Sequence, residues 1–180
     1  MSKLRFIPIV GLLLLGACAS PAEIKNMVVD QSAVVSASKT DLKGAIVLEK
    51  VSGGEDTNPL WTSEVSNEGF QGALQGSLEK SGLLAKTKED AKFNLSASLF
   101  SLDQPLFGLD LTVKSKVKYA VTERTDAKVI FDEAVDSSYT ATFGDSPIAI
   151  QRLRFANEGA IRENIKQFIT RLLSSFSANK

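Results

Sequence analysis

The chain has 180 residues, 21 basic and 21 acidic side chains, and a mean hydropathy close to zero. A balanced charge with no cluster of Lys and Arg argues against a nucleic-acid partner. Histidine is absent and Cys18 is the only cysteine, which removes the commonest general base, the usual nucleophile pairs and the commonest metal ligand. We therefore expect a protein that is not an enzyme and that uses no metal or cofactor.

Residues 1–17 have the pattern of a secretory signal peptide. A short basic head precedes the ten apolar residues Phe6 to Leu15, which cover about half of the ~20 residues that a membrane-spanning helix needs. The letters "LGAC" that end at Cys18 resemble the bacterial lipobox, a branched residue and two small residues before a cysteine. Without lipidation, Cys18 would be an ordinary small buried residue.

The lipobox resemblance implies that cleavage leaves Cys18 as the new N-terminus, carrying two or three acyl chains such as palmitate. Two or three chains anchor a protein firmly, whereas one chain does so only marginally. Ala19 stands where an Asp would favour retention in the inner membrane. The resemblance therefore implies the outer membrane, with the protein facing the periplasm.

Residues 18–42 are rich in Ser and Ala, and we interpret them as the lipidated cysteine and a flexible tether. A single domain is then expected over residues 43–180. Its first strand is predicted at 45–51, and Asn58-Pro59 marks a loop that carries Trp61, the only tryptophan. Trp61 is one candidate contact residue for a partner or a lipid.

Apolar residues recur every four positions between residues 63 and 81, which predicts a helix. Gly69, Gly72 and Gly76 lie along one side of it, and each costs up to ~1 kcal/mol relative to Ala. We expect them to allow a close approach of the helix backbone to a sheet. A binding groove along the glycines is the alternative.

Three strands are predicted next, at 93–102, 111–122 and 128–143, because apolar and polar residues alternate. The second strand directs three lysines to the solvent side, and the third directs Asp132 and Asp136 there. Cross-strand ion pairs are the expected arrangement, and a basic stripe for lipid phosphates is the alternative. Glu133 interrupts an otherwise apolar face, which indicates a bulge.

The segment 103–108 separates two of these strands and contains Pro105 and Gly108. Leu106 and Phe107 stand at its tip. One interpretation is that both side chains fold back over the edge of the sheet. The other is an exposed apolar contact for a partner or a lipid, because contact residues concentrate on loops.

A last helix is predicted from about 147 to 177, with a break near Asn157–Gly159. The order strand, helix, three strands, helix predicts an α+β fold. We expect a four-stranded, mostly antiparallel sheet covered on one face by two helices.

This element order, behind a lipobox, looks like that of the lipoprotein that plugs the lipopolysaccharide-assembly barrel of the outer membrane. The stretches "ALQGSLEKSGLLA", "LDQPLFGLDLTV" and "RLRFANEGAIRENI" resemble an uncharacterised family of small Gram-negative lipoproteins. The resemblances imply an envelope lipoprotein that is a non-catalytic interaction or assembly factor, with an envelope protein or a lipid as its partner. The alternative is a lipid- or glycolipid-binding module that uses the space between sheet and helices.

Overall fold

The computed structural model describes residues 19–30, 40–58 and 62–178. Cys18 and Trp61 lie outside these ranges. The elements in chain order are α1 (Ile24–Met27), β1 (Ile46–Ser52), α2 (Asn67–Lys80), β2 (Phe93–Asp103), β3 (Leu111–Glu123), β4 (Val129–Ala141) and α3 (Ala149–Ala178).

The four strands form one sheet in the order β1-β2-β3-β4. β1 runs parallel to β2, as expected for two strands joined through a helix, and the other two pairs are antiparallel. Every second residue of β2 from Phe93 to Leu99 is buried, which matches the predicted alternation. The predicted α+β fold is confirmed.

Both long helices pack on the same face of the sheet, and α3 lies across β3 and β4. The ring of Tyr119 on β3 stacks on Phe168 of α3 with 4.0 Å between centroids. The Tyr119 hydroxyl donates to Asn164 Oδ1 at 2.9 Å, and Asn164 Nδ2 donates to the Val135 carbonyl at 2.8 Å. These bonds satisfy polar groups inside an otherwise apolar core.

The expected break in the last helix does not occur, since α3 is continuous through Asn157, Glu158 and Gly159. A Cβ atom at Gly159 would stand 2.2 Å from the ring of Tyr139. This glycine therefore serves a close approach between helix and strand, not a helix end.

The expected bulge at Glu133 is also wrong. Glu133 is in register with Tyr119, on the face of the sheet that the helices cover. Because β4 is an edge strand, the Glu133 carboxylate reaches solvent and pairs with Arg171 of α3 at 3.5 Å. In this pair of strands the register shifts instead between Val121 and Thr122.

Residues 19–30 lie against the domain, which differs from the flexible tether that their composition predicts. Met27 is fully buried and Val29 is 2% exposed. Met27 and Val29 belong to the same apolar core as α2 and the sheet. The part of the predicted tether at 31–39 lies outside the described residues.

Candidate interaction surface

The loop between β2 and β3, residues 104–110, presents large apolar side chains to solvent. Leu106 is 96% exposed, Phe107 89% and Leu109 73%. Leu106 and Phe107 therefore do not fold back over the sheet edge, and their role as contact residues stays a prediction. Clusters of large, solvent-exposed apolar side chains are more typical of contact sites than of ordinary protein surface.

A second loop, residues 142–148 between β4 and α3, lies beside the first. Phe143 is 52% exposed and Ile148 43%. The backbone N–H of Phe143 donates to Asp110 Oδ1 at 3.0 Å, which ties the two loops together. We call the surface formed by both loops the apolar end; its exposed apolar side chains are Leu106, Phe107, Leu109, Phe143 and Ile148.

Arg152 of α3 lies beneath the apolar end and donates hydrogen bonds to both of its loops. It is only 3% exposed, and its Nη1 donates to the Ser146 carbonyl at 2.6 Å. Its Nη2 reaches the Gly108 carbonyl at 3.4 Å, and its guanidinium lies 5.3 Å from the centre of the Phe143 ring. A single buried cation therefore supports both loops.

The backbone of Gly108 also restricts the first loop. Its φ is +154°, and a Cβ atom there would stand 2.8 Å from the Asp110 carbonyl oxygen. Glycine is therefore required for the turn that places Leu106 and Phe107 before it and Leu109 after it.

Residues that follow Cys18 dock at the same end of the molecule. The Ser63 hydroxyl donates to the Ser20 carbonyl at 2.7 Å, and the Ala22 N–H donates to the Glu64 carbonyl at 3.1 Å. Gln104, which opens the apolar loop, donates to the Ser63 carbonyl at 2.9 Å. Residues 63–64 therefore contact both the start of the described chain and the loop 104–110.

Glu158 of α3 fastens the next part of the N-terminal segment. Glu158 is 2% exposed, and its carboxylate accepts from the Glu23 N–H and from Asn26 Nδ2, each at 2.9 Å. Arg154 Nε lies 3.6 Å from it. Burial raises the pKa of Glu158, although both hydrogen bonds and the Arg154 charge act in the opposite direction.

The glycine side of α2 faces the N-terminal segment and not the sheet, contrary to expectation. Cβ atoms built on Gly72 and Gly76 would stand 2.7 Å from Ile24 and 3.0 Å from Val28. The Val29 N–H donates to Ser77 Oγ at 3.0 Å along the same side. The groove that the alternative interpretation assigns to a ligand is thus occupied by this chain's own residues.

The solvent side of β3 and β4 is mostly polar. Lys116 pairs with Asp136 at 3.3 Å and Lys118 with Asp132 at 2.6 Å, which confirms the expected cross-strand ion pairs. A shallow cleft of about 490 Å³ lies beside them, lined by serines and by both charge signs. Exposed pairs of this kind contribute little stability, ~0–1 kcal/mol each.

Sequence reasoning missed Glu158 and Arg152 as positioning residues. Both lie on a helix whose pattern resembles an ordinary solvated face with a break. A charged residue inside the apolar stripe of α3 was the available signal, because charged side chains are rarely buried without partners.

The described residues contain no group of three or more Asp, Glu, Cys or His side chains that could hold a metal ion. Within the same residues, no helix is both long and apolar enough to cross a bilayer. The 30-residue helix α3 reaches the length but carries charged residues throughout.

No family model matches the sequence, and no curated protein matches it. Solved structures share its fold. The protein XCC0632 from Xanthomonas campestris, of the family model DUF330, has a TM-score of 0.55 at 11% identity, over 75% of this chain and 86% of that one. A candidate lipoprotein from Caulobacter crescentus has a TM-score of 0.50 at 15% identity, over 83% and 96%.

The hypothetical protein CT253 from Chlamydia trachomatis has a TM-score of 0.52 at 13% identity, over 77% of this chain and 99% of its own. Likeness at these identities shows the fold alone. The resemblance to the lipopolysaccharide-assembly lipoprotein is not among these findings and stays a prediction.

Proposed function

We propose that the chain is an envelope lipoprotein, anchored through acylated Cys18 in the outer membrane and facing the periplasm. Its domain acts there as a non-catalytic interaction or assembly factor. The observation that carries the proposal is the exposed apolar end, which lies beside the docked residues that follow Cys18. A folded domain with an uncovered apolar surface next to a membrane anchor suits a contact role.

Three further observations support it. The lipobox-like "LGAC" stands behind a basic head and a short apolar run. The fold is also that of the Caulobacter candidate lipoprotein. A sequence without histidine leaves few residues for acid–base chemistry, which favours a non-catalytic role.

The alternative, a module that holds a lipid between sheet and helices, has less support. Ile24 and Val28 fill the space along Gly72 and Gly76, where the alternative interpretation expects a binding groove. A pocket for an acyl chain would need a largely apolar cavity, and these two side chains occupy the space along the glycines.

In-cell photo-crosslinking tests the proposed role. A photoreactive amino acid is placed at Phe107 in the apolar end, at Lys116 on the polar sheet face, or at Asp126 in the β3–β4 turn as the matched control. Acylation of Cys18 is checked by mass spectrometry. We expect a discrete envelope protein to be captured from Phe107 or Lys116 and not from Asp126.

The Cys18→Ser variant should lose this crosslink, because the domain is then no longer held at the membrane. No reproducible protein crosslink from either surface would contradict the assembly role. A crosslink that persists unchanged in Cys18→Ser would show that the anchor is unnecessary for the contact.

A further inference from the structure

The docked N-terminal segment limits how far the domain can lie from its anchor. A chain spans at most ~3.6 Å per residue, so the Cα of Cys18 lies within about 7 Å of the Cα of Ser20. Ser20 itself is fixed by the Ser63 hydroxyl. A flexible tether over 18–42 could instead extend to roughly 80 Å or more.

The docked residues also place the attachment at one end of the molecule. Ser63 and Glu64 hold Ser20 and Ala22 on one side, and Gln104 of the apolar loop on the other. Acyl chains on Cys18 would therefore enter the bilayer from the end of the molecule that carries the apolar side chains.

We propose that the apolar end contacts the lipid surface that holds the Cys18 acyl chains, with Leu106, Phe107 and Leu109 inserted among the lipids. This inference rests on the proposed anchor at Cys18 and specifies what the apolar end touches. The domain then stands on the membrane in one orientation, held by its acyl chains and by this second contact. The polar face of the sheet remains open for a protein partner.

The charge around the apolar end indicates the kind of lipid contact. Asp103, Asp110 and Asp145 surround it, and Arg152 beneath it is buried. The carboxylates of Asp110 and Asp145 accept from the N–H groups of Phe143 and Thr142 at 3.0 and 2.6 Å. Since the loops 103–110 and 142–148 contain no Lys or Arg, the contact depends on apolar burial and not on anionic headgroups.

The opposite end of the sheet carries an excess of basic side chains. The loops 85–92 and 124–128 carry five basic and three acidic side chains. Basic residues of this kind are what an anionic membrane surface attracts. Contact of the membrane with this basic end is therefore the competing orientation, and Asp126, at the tip of the β3–β4 turn, provides the matched position that tests it.

The test uses the acylated protein, reconstituted in vesicles of phosphatidylethanolamine and phosphatidylglycerol. Because the native thiol is acylated, Phe107→Cys or Asp126→Cys supplies a single reactive thiol for an environment-sensitive fluorophore. Lipids brominated on their acyl chains quench fluorophores inside the bilayer, and aqueous iodide quenches those outside. A label at Leu106→Cys is a second probe of the apolar end. The side chains of Phe107, Leu106 and Asp126 are all exposed, so the fold should tolerate the labels.

We expect the label at Phe107 to be quenched several-fold more strongly by brominated lipid than the label at Asp126, with the reverse order for iodide. Replacing phosphatidylglycerol by phosphatidylethanolamine should leave this ratio unchanged.

If the protein is acylated and vesicle-bound while the Phe107 label stays accessible to iodide, the lipid contact is overturned and the anchor stands. If Cys18 carries no acyl group, the proposed function fails, and the inference fails with it. Capture of a protein or of a second copy from Phe107 in cells would also overturn it.

Discussion

The N-terminal segment 19–30 and the loop 104–110 show opposite relations between composition and burial. The segment is rich in small and polar residues, yet it buries Met27 and Val29 in the core. The loop has the more apolar tip, yet Leu106 and Phe107 are almost fully exposed. Hydrophobicity of a short stretch therefore does not decide whether the stretch is buried.

The difference lies in the surface that each region meets. The segment meets α2 along Gly69, Gly72 and Gly76, where the missing side chains leave room for Ile24 and Val28. It also meets the Glu158 carboxylate, which satisfies its backbone. The loop meets no such surface in the described residues, and its turn is held by hydrogen bonds that do not cover its side chains.

Removing the buried anchor of the segment gives the largest expected effect. Met27→Ala should lower the free energy of unfolding by roughly 2–5 kcal/mol, because it leaves a cavity in the core. Urea unfolding followed by circular dichroism measures it. Lys25→Ala, an exposed change in the same short helix, is the control and should change stability by less than about 0.5 kcal/mol. Equal small effects from both variants would mean that the segment behaves as a tether.

Glu158→Gln should have a smaller effect, roughly 1–3 kcal/mol, since the amide oxygen can still accept one of the two hydrogen bonds. Its effect should also depend on pH. Because burial raises the pKa of Glu158 above 4.5, the folded protein keeps this proton to higher pH than the unfolded chain. The stability contributed by this carboxyl therefore decreases as pH rises from about 4.5 through the raised pKa.

The measurement is urea unfolding of both proteins between about pH 4 and pH 7. The advantage of the wild type over Glu158→Gln should shrink as pH rises through that window. The charged groups that face Glu158, Arg154 on its own helix and Glu23 on the N-terminal segment, are kept in both proteins. A difference that grows with pH would show that the hydrogen bonds and Arg154 outweigh burial.

The double change Leu106→Asp with Phe107→Asp should have the smallest effect on stability. Both side chains are exposed in folded and unfolded states, so unfolding free energy should change by less than about 0.5 kcal/mol. The quenching of a label at Leu109→Cys by brominated lipid should nevertheless be lost. A marked loss of stability would mean that the loop is packed in the protein in solution.

Much of the fold follows from local pattern. The alternation in β2 and β3 and the helical period of α2 and α3 arise because each element buries one face. The existence and type of these elements could therefore be predicted from the sequence. The paired charges at Lys116 and Asp136 follow from the same register. The expected break at Gly159 failed because local preference marks glycine as an interruption, whereas the strand residue Tyr139 needs its missing side chain.

By itself, the sequence determined the α+β order of elements, the sheet's two unlike faces, and the prediction of a lipid anchor at Cys18. Only the tertiary structure decided which stretches are buried, because burial depends on a complementary surface distant in sequence. Glu23 and Glu158, which are 135 positions apart in the sequence, illustrate that separation. The same folding joined the residues after Cys18 to the apolar loop through Ser63, Glu64 and Gln104, which no local pattern could indicate.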